Sequence, residues 1–202
     1  MSTTAPPRRL CSVIAREQGD NPLGTAWAFR RMLAMELELP WPHNYFEARE
    51  FPAGIAEKME ALWEHHLDTG TLAFAPDRHH AIPGMIRIID FRFPSPPHAA
   101  AERREYLVPR ENAGEFFLLL FVDDPAAQAI PGVQRVEFSG RDLFVCTHGT
   151  VDACCAKFGF PLYRALHHAA AEVDSGVRVW RSTHFGGHRF AATLIDFPEG
   201  RF

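Results

Sequence analysis

The sequence has few cysteines, little net charge and no long apolar segment. Four cysteines among 202 residues are too few for a secreted scaffold held together by disulfides. The longest apolar run, Phe116 to Val122, is about a third of what a bilayer-spanning helix needs, and no apolar leader follows Met1. The net charge of -4 provides no basic excess for binding phosphates. We therefore expect a cytoplasmic protein with no membrane span and no nucleic-acid partner.

The remaining composition, 47% hydrophobic and 23% charged, is typical of globular domains. Segments with strand-like and helix-like patterns alternate along the chain, which predicts an α/β layer architecture. Strands are expected at 10–14, 85–93, 115–122, 133–138, 141–146, 177–181 and 190–197. Helices are expected at 25–36, preceded by Pro22 in the first turn, at 53–67, and from Pro161 to a stop at Gly176.

A charged segment at 99–112, broken by Pro109, is expected to connect two parts of the chain through a short helix or an edge strand. We accordingly predict an N-terminal α/β region at 1–112 and a second domain at 113–202. The two parts also show a weak sequence similarity, which is too degenerate to count as evidence alone. The strand with Cys11, the helix at Pro22 and an Ile-Asp-Phe strand recur as Cys146, Pro161 and a second Ile-Asp-Phe. The first region is thus either a degenerate copy of the second or similar to it by chance.

The residues suited to chemistry are concentrated in two segments that each follow a predicted strand. Cys146-Thr-His-Gly-Thr-Val-Asp-Ala-Cys154-Cys155 follows one strand, and His184-Phe-Gly-Gly-His188 follows another. Loops at strand ends gather on one edge of an α/β sheet, so two thiols and two imidazoles are expected to meet there. Adjacent thiols cannot easily reach one site together. Cys154 in place of Cys155 therefore remains an alternative.

The spacing of the two cysteines in the sequence indicates which metal group they could bind. Structural zinc usually takes thiolates two to four residues apart, whereas eight residues separate Cys146 from Cys155. A two-iron cluster with two histidines on one iron suits the longer loop, and Gly186 and Gly187 allow the backbone to approach it closely. Two alternatives stay open. One is a zinc-stabilised α/β binding module, and the other is a thiol redox protein of thioredoxin-like fold, which would lack the usual Cys-x-x-Cys motif.

These segments resemble the sucrase/ferredoxin-like family. The resemblance is carried by Cys11-Ser, Asn21-Pro-Leu-Gly-Thr-Ala26, Glu38-Leu-Pro-Trp-Pro42, Cys146-Thr-His-Gly149 with Asp152 and Cys155, and His184-Phe-Gly-Gly-His188-Arg189-Phe190-Ala191. It implies a thioredoxin-like ferredoxin domain with a 2Fe-2S cluster. The ligands implied are Cys146, Cys155, His184 and His188, with Cys154 at a non-ligand position.

The resemblance also implies a function, namely one-electron transfer by an electron carrier or redox subunit rather than by an enzyme in its own right. A redox partner protein is therefore expected. Family members usually continue past Phe202 with another strand and helix, so this chain is either naturally short or truncated. In both cases we expect the sheet edge left exposed to be capped in a homodimer or a larger redox complex. Cys11 and Cys154 are expected to be packing residues. His148 is expected either to donate a hydrogen bond beside the ligands or to lie exposed in the loop, and Asp152 to order that loop.

Overall fold

The computed structural model describes residues 9–94, 100–173 and 176–202. Within these ranges the helices are α1 (Cys11–Gln18), α2 (Ile55–Trp63), α3 (Ala113–Phe121) and α4 (Phe160–Glu172). The strands are β1 (Arg31–Glu36), β2 (Thr69–Phe74), β3 (Met85–Arg92), β4 (Glu102–Pro109), β5 (Gln134–Val136), β6 (Arg141–Cys146), β7 (Val177–Ser182) and β8 (Leu194–Phe197). They form one mixed sheet in the order β5-β4-β3-β1-β2-β7-β6-β8.

The sheet contains the same arrangement twice. In the first unit, β1 and β2 are parallel and joined through α2, and β3 lies antiparallel on the other side of β1. In the second unit, β6 and β7 are parallel and joined through α4, and β8 lies antiparallel on the other side of β6. The first unit continues into β4 and α3, and β5 pairs with β4. The predicted α/β class is confirmed, with a strand order consistent with a thioredoxin-like fold.

The repeat does not follow the register expected from the sequence. Cys11 and Cys146 do not occupy equivalent positions, because Cys11 begins a helix and Cys146 ends a central strand. The structural equivalent of Cys146 is Glu36, the last residue of β1. Glu36 pairs with Phe74 at the end of β2, just as Cys146 pairs with Ser182 at the end of β7.

The two units meet through a narrow junction and then pack face to face. β2 and β7 are antiparallel and share a single residue pair, Phe74 with Ser182. Inner-face side chains from β1, β2 and β3 form one apolar cluster with those from β6, β7 and β8. At its centre, the ring of Phe91 stacks on that of Phe197 with 3.9 Å between centroids. The sheet is therefore bent at the junction, so that its two halves enclose a common core.

Buried ion pairs cross the same interface. Glu105 on β4 accepts hydrogen bonds of 3.1 and 3.0 Å from Arg178 on β7, and also pairs with Arg87 and Arg103. Asp142 on β6 accepts from Arg178 as well. Charges buried this deeply are tolerated only when they are paired and hydrogen-bonded, so the network fixes how the two halves face each other.

The outer faces of the two units are covered differently. α2 and α3 bury Ile55, Met59, Phe116 and Phe117 against the first unit. In contrast, no residue of α4 is fully buried. The domain boundary at residue 112 stays a prediction. It would assign α3 to the second domain, although α3 packs into the apolar core of the first unit.

Several predicted elements are confirmed. The strands expected at 85–93, 133–138, 141–146 and 177–181 correspond to β3, β5, β6 and β7, and the helices expected at 53–67 and after Pro161 correspond to α2 and α4. The strand expected at 190–197 is present only from Leu194, since His188–Phe190 forms a short 3-10 turn. Arg201 folds back to pair with Asp196 on β8, the edge strand.

Four assignments from the sequence are wrong. Residues 10–14 begin α1, which ends at Gly19 in the left-handed conformation. The segment 25–36 ends in the central strand β1, whose residues are all buried on both faces. Residues 115–122 lie in helix α3 and its C-cap. The segment 99–112 contains β4, an interior strand, although residue 99 lies outside the described residues.

No helix in the described part of the chain is long and apolar enough to cross a membrane.

Candidate metal centre

The two chemistry-bearing segments begin at neighbouring strand ends, as predicted. Cys146 is the last residue of β6 and pairs with Ser182, the last residue of β7. His184 follows two positions later. Because parallel neighbours end at the same edge of a sheet, Cys146 and His184 are close together. The Cys146 side chain is fully buried, and that of His184 is half-buried.

Cys155 reaches the same point through an unusual start to α4. A π-helical turn, Cys155–Gly159, precedes the regular helix. Such turns are rare and occur often at functional sites. Gly159 allows this turn to lie against β6, because a Cβ at this position would overlap the carbonyl oxygen of Cys146. A missing Cβ thus brings the Cys155 thiol to the end of the strand.

The resulting group is compact. His184 Nδ1 lies 3.5 Å from Cys155 Sγ and 3.7 Å from Cys146 Sγ. The three ligand atoms all lie within 4.8 Å of one another. The ring of His188 is 5.6 Å from that of His184, centroid to centroid, and His188 is exposed outside the compact group. The structure therefore brings together three of the four predicted ligands and leaves the fourth adjacent to them.

The two thiols of the group interact directly. The Cys155 thiol donates to Cys146, which lowers the pKa of Cys146 despite its burial. The same hydrogen bond, together with burial, raises the pKa of Cys155. A metal needs both sulfurs as thiolates, so its binding would release protons from this pair.

His148 and Asp152 support the loop between the cysteines. His148 Nε2 donates to the Pro42 carbonyl at 2.9 Å, and its Nδ1 accepts from the His184 backbone N–H at 3.3 Å. Asp152 Oδ1 accepts from the Cys154 backbone N–H at 2.7 Å. Both residues thus order the loop. His148 is buried and not exposed in the loop, and toward His184 it accepts a hydrogen bond instead of donating one. Its donated bond links this loop to the loop that follows β1.

The sequence did not reveal a second thiol pair. Cys11 Sγ lies 3.1 Å from Cys154 Sγ, with the Asp152 carboxylate oxygens 3.9 and 4.0 Å from Cys11 Sγ. Cys11 is half-exposed, so its expected place in the apolar core is wrong. Partial burial and the contact with Cys154 raise the pKa of Cys11 to about 11. No local signal could have found this pair, because its members are 143 positions apart.

The topology defines the chain as an α/β protein of thioredoxin-like arrangement, with a cysteine–histidine group at one sheet edge. Residues 22–201 match the profile of the sucrase/ferredoxin-like family, and the chain belongs to that family. One curated relative is altered inheritance of mitochondria protein 32 from Meyerozyma guilliermondii, which is 28% identical over 106 residues. That alignment covers 46% of this chain and 35% of the yeast protein. No solved structure matches the chain.

Proposed function

We propose that this chain is a one-electron transfer protein whose Cys146, Cys155, His184 and His188 hold a 2Fe-2S cluster. The observation that carries the proposal is the meeting of two thiols with His184 Nδ1, in a chain of the sucrase/ferredoxin-like family. When bound, such a cluster supplies a reversible one-electron couple. In this role the chain acts with a redox partner protein, and a second copy or a larger complex would cap β8.

The donor set suits an electron acceptor of moderate potential. Two thiolates and two neutral imidazoles bring a core of formal charge about +2 close to neutrality, whereas four thiolates would leave it negative. Added negative charge therefore meets less repulsion at this site than in an all-cysteine one. Burial of both thiolates keeps them out of water, and the half-exposed His184 and exposed His188 form the side that solvent reaches.

The imidazoles provide a route for protons. Since His184 Nδ1 faces the two sulfurs, its Nε2–H is the free ring position. An imidazole that held a metal would become more basic if the metal gained an electron, so proton uptake would accompany reduction. We expect the midpoint potential to fall as the pH rises.

A mononuclear zinc site is a second candidate, favoured by one specific observation. The distances of 3.5 and 3.7 Å from His184 Nδ1 to the two sulfurs match the edges of a tetrahedron around one ion. Two imidazoles on such an ion have ring centres roughly 5 Å apart, close to the 5.6 Å between His184 and His188.

Metal analysis of the purified protein decides between the two. We expect visible absorption bands that bleach with dithionite, with about two irons and two acid-labile sulfides per chain. A colourless protein with one zinc, which stays colourless after anaerobic reconstitution with iron and sulfide, would overturn the proposal and establish the zinc site.

Adjacent cysteines offer a matched pair of variants for the same assay. Cys155→Ser removes a proposed ligand, and we expect at least a tenfold loss of bound iron because one thiolate is absent. Cys154→Ser changes a neighbouring buried thiol outside the compact group, and its iron content is expected to match that of the wild type. The opposite ranking would assign the ligand to Cys154.

Replacing a histidine tests the other side of the site. We expect His188→Cys to keep the cluster and lower the midpoint potential, because a thiolate adds a negative charge where the imidazole adds none. An unchanged midpoint and spectrum would remove His188 from the ligand set.

A further inference from the structure

We propose that Cys11 and Cys154 form a reversible disulfide that ties α1 to the loop between the two proposed cysteine ligands. The two sulfurs are 3.1 Å apart, inside ordinary sulfur–sulfur contact, and both are free thiols in this structure. A disulfide requires about 2.05 Å, so they need to approach by roughly 1 Å. Cys11 and Cys154 are 143 positions apart in the sequence, so the fold and not the local sequence brings their sulfurs together.

The geometry favours a disulfide over a second metal site. Two thiolates on one tetrahedral zinc lie roughly 3.8 Å apart, farther than the 3.1 Å between Cys11 and Cys154. Asp152 is the third polar group of this cluster. One of its oxygens already accepts the Cys154 backbone N–H at 2.7 Å, and both lie 3.9 to 4.0 Å from Cys11 Sγ. The two sulfurs are therefore each other's closest partners.

The bond would connect both ligand-bearing segments. Cys154 is adjacent to Cys155, and Cys11 Sγ lies 4.0 Å from the backbone carbonyl of His188. α1 packs on the turn His188–Phe190. A link from α1 to Cys154 thus holds the cysteine loop and the histidine turn against one helix. α1 also precedes the residues that match the family, 22–201.

The oxidation balances with hydrogen peroxide as the oxidant. The sulfur of Cys11, the more exposed thiol, attacks one peroxide oxygen, so that an S–O bond forms and the O–O bond breaks. The thiol proton joins the leaving hydroxide, which gives a sulfenic acid and one water. The sulfur of Cys154 then attacks the sulfur of Cys11, the S–S bond forms, the S–O bond breaks, and a second water leaves. Two electrons pass from the two sulfurs to the peroxide oxygens, and a dithiol returns them.

Peptide mapping of the full-length purified protein tests the bond. Trypsin places Cys11 on the peptide 10–16 and the other three cysteines on the peptide 142–157. After peroxide treatment and alkylation of free thiols, we expect these peptides to be joined, and dithiothreitol to separate them. Cys154→Ser is expected to abolish the joined species, and Cys155→Ser, its neighbour, to retain it. A joined species that persists in Cys154→Ser, or that is absent from the oxidised wild type, would overturn the proposal.

Fragmentation of the wild-type joined peptide locates the bond without any variant, so a variant that does not fold leaves the test intact. We also expect the oxidised wild type to unfold roughly 10 °C higher than the reduced form, because a long loop is closed. Cys11→Ser is expected to lose that shift and keep its iron, since Cys11 is outside the proposed ligand set. If the reduced Cys11→Ser variant contained one zinc less per chain than the reduced wild type, Cys11 and Cys154 would instead belong to a metal site. The peptide map does not require a bound cluster. The absence of the disulfide and the absence of iron from the protein are therefore separate results, and each tests only one of the two proposals.

Discussion

The two units of the sheet share a topology but use the end of the central strand differently. In the first unit β1 ends at the buried Glu36, and the loop that follows sends Trp41 and Phe46 into the apolar core. In the second unit β6 ends at the buried Cys146, and the loop that follows leads to Cys155. The loop after the central strand thus contributes apolar side chains to the core in the first unit and a possible metal ligand in the second. The sequence of the loop, and not the topology, therefore determines whether the strand end can bind a metal.

The helices of the two units also bury different amounts of apolar side chain. The first is closed by two helices with many buried aromatic side chains, whereas α4 covers the second without a fully buried residue. Stability is therefore expected to come from the first unit and from the interface, leaving the second unit free to adjust around a bound group.

The largest effect is expected at the interface that joins the units. Glu105→Gln removes the charge shared by Arg87, Arg103 and Arg178. Among the described residues, Arg87 is then left buried without an ion-pair partner, and Arg103 and Arg178 keep only Asp142. We expect the free energy of unfolding to fall by about 3–5 kcal/mol, measured by urea denaturation.

The matched control is Glu199→Gln, which weakens an exposed pair with Arg201. Its effect is expected to stay within about 0.5 kcal/mol. Equal effects of the two variants would mean that the buried network does not hold the halves together.

A second pair of variants compares the helices that cover the two units. Phe117→Ala on α3 deletes a fully buried ring and is expected to lower the free energy of unfolding by about 3–4 kcal/mol. Leu166→Ala on α4 removes a half-exposed side chain and should lower it by about 1 kcal/mol or less. Similar losses in thermal or urea unfolding would contradict the view that the first unit supplies most of the stability.

The errors in reading the sequence have physical causes. The run Glu115 to Val122 is apolar on every side, so periodicity cannot separate a buried helix from a central strand. Its Phe and Leu content, with one β-branched residue, favours the helix that is observed. Conversely, Met32-Leu-Ala-Met35 has high helix propensity, but it forms β1 because neighbours on both sides supply hydrogen bonds and both faces are buried.

The site was predictable where its residues follow strands. Cys146 and His184 could be placed together because two successive strands of a βαβ unit end at one edge. The approach of Cys155 depends on a π-helical turn and on Gly159, and no pattern in the sequence signals either one. Cys11 was missed for a different reason. The pattern at 10–14 favours a strand although Cys11 begins a helix, and its contact with Cys154 is long-range.

A smaller effect is expected where the first unit supports the loop of the second. His148→Phe keeps a ring beside Trp41 but removes the bond to the Pro42 carbonyl and the acceptor for the His184 N–H. We expect a loss of about 1–2 kcal/mol in the free energy of unfolding, because buried backbone groups lose a partner. We also expect faster release of metal to a chelator. Faster release without any change in stability would show that His148 acts on the site alone.

The central strands of the two units end in buried groups of different chemistry, the carboxylate of Glu36 and the thiol of Cys146. Burial raises the pKa of Glu36 above its usual value near 4.5, although the Arg87 backbone N–H donates to it at 3.0 Å. The native state thus binds the proton more tightly than the unfolded state, so stability is greatest below that usual value and falls as the pH rises toward the raised pKa. Glu36→Gln stays neutral and keeps an acceptor for Arg87.

We therefore expect Glu36→Gln to match the wild type below about pH 4 and to have the higher free energy of unfolding at pH 8, measured by urea denaturation at both values. A less stable variant at pH 8 would mean that attraction to Arg87 and Arg110 outweighs the burial of the carboxylate. Cys146 occupies the equivalent position in the second unit, and there a bound metal would neutralise the anion. Glu36 has the guanidinium groups of Arg87 and Arg110 nearby but forms no ion pair with either of them. The sign of the stability difference between Glu36→Gln and the wild type at pH 8 therefore shows whether the buried carboxylate destabilises or stabilises the fold.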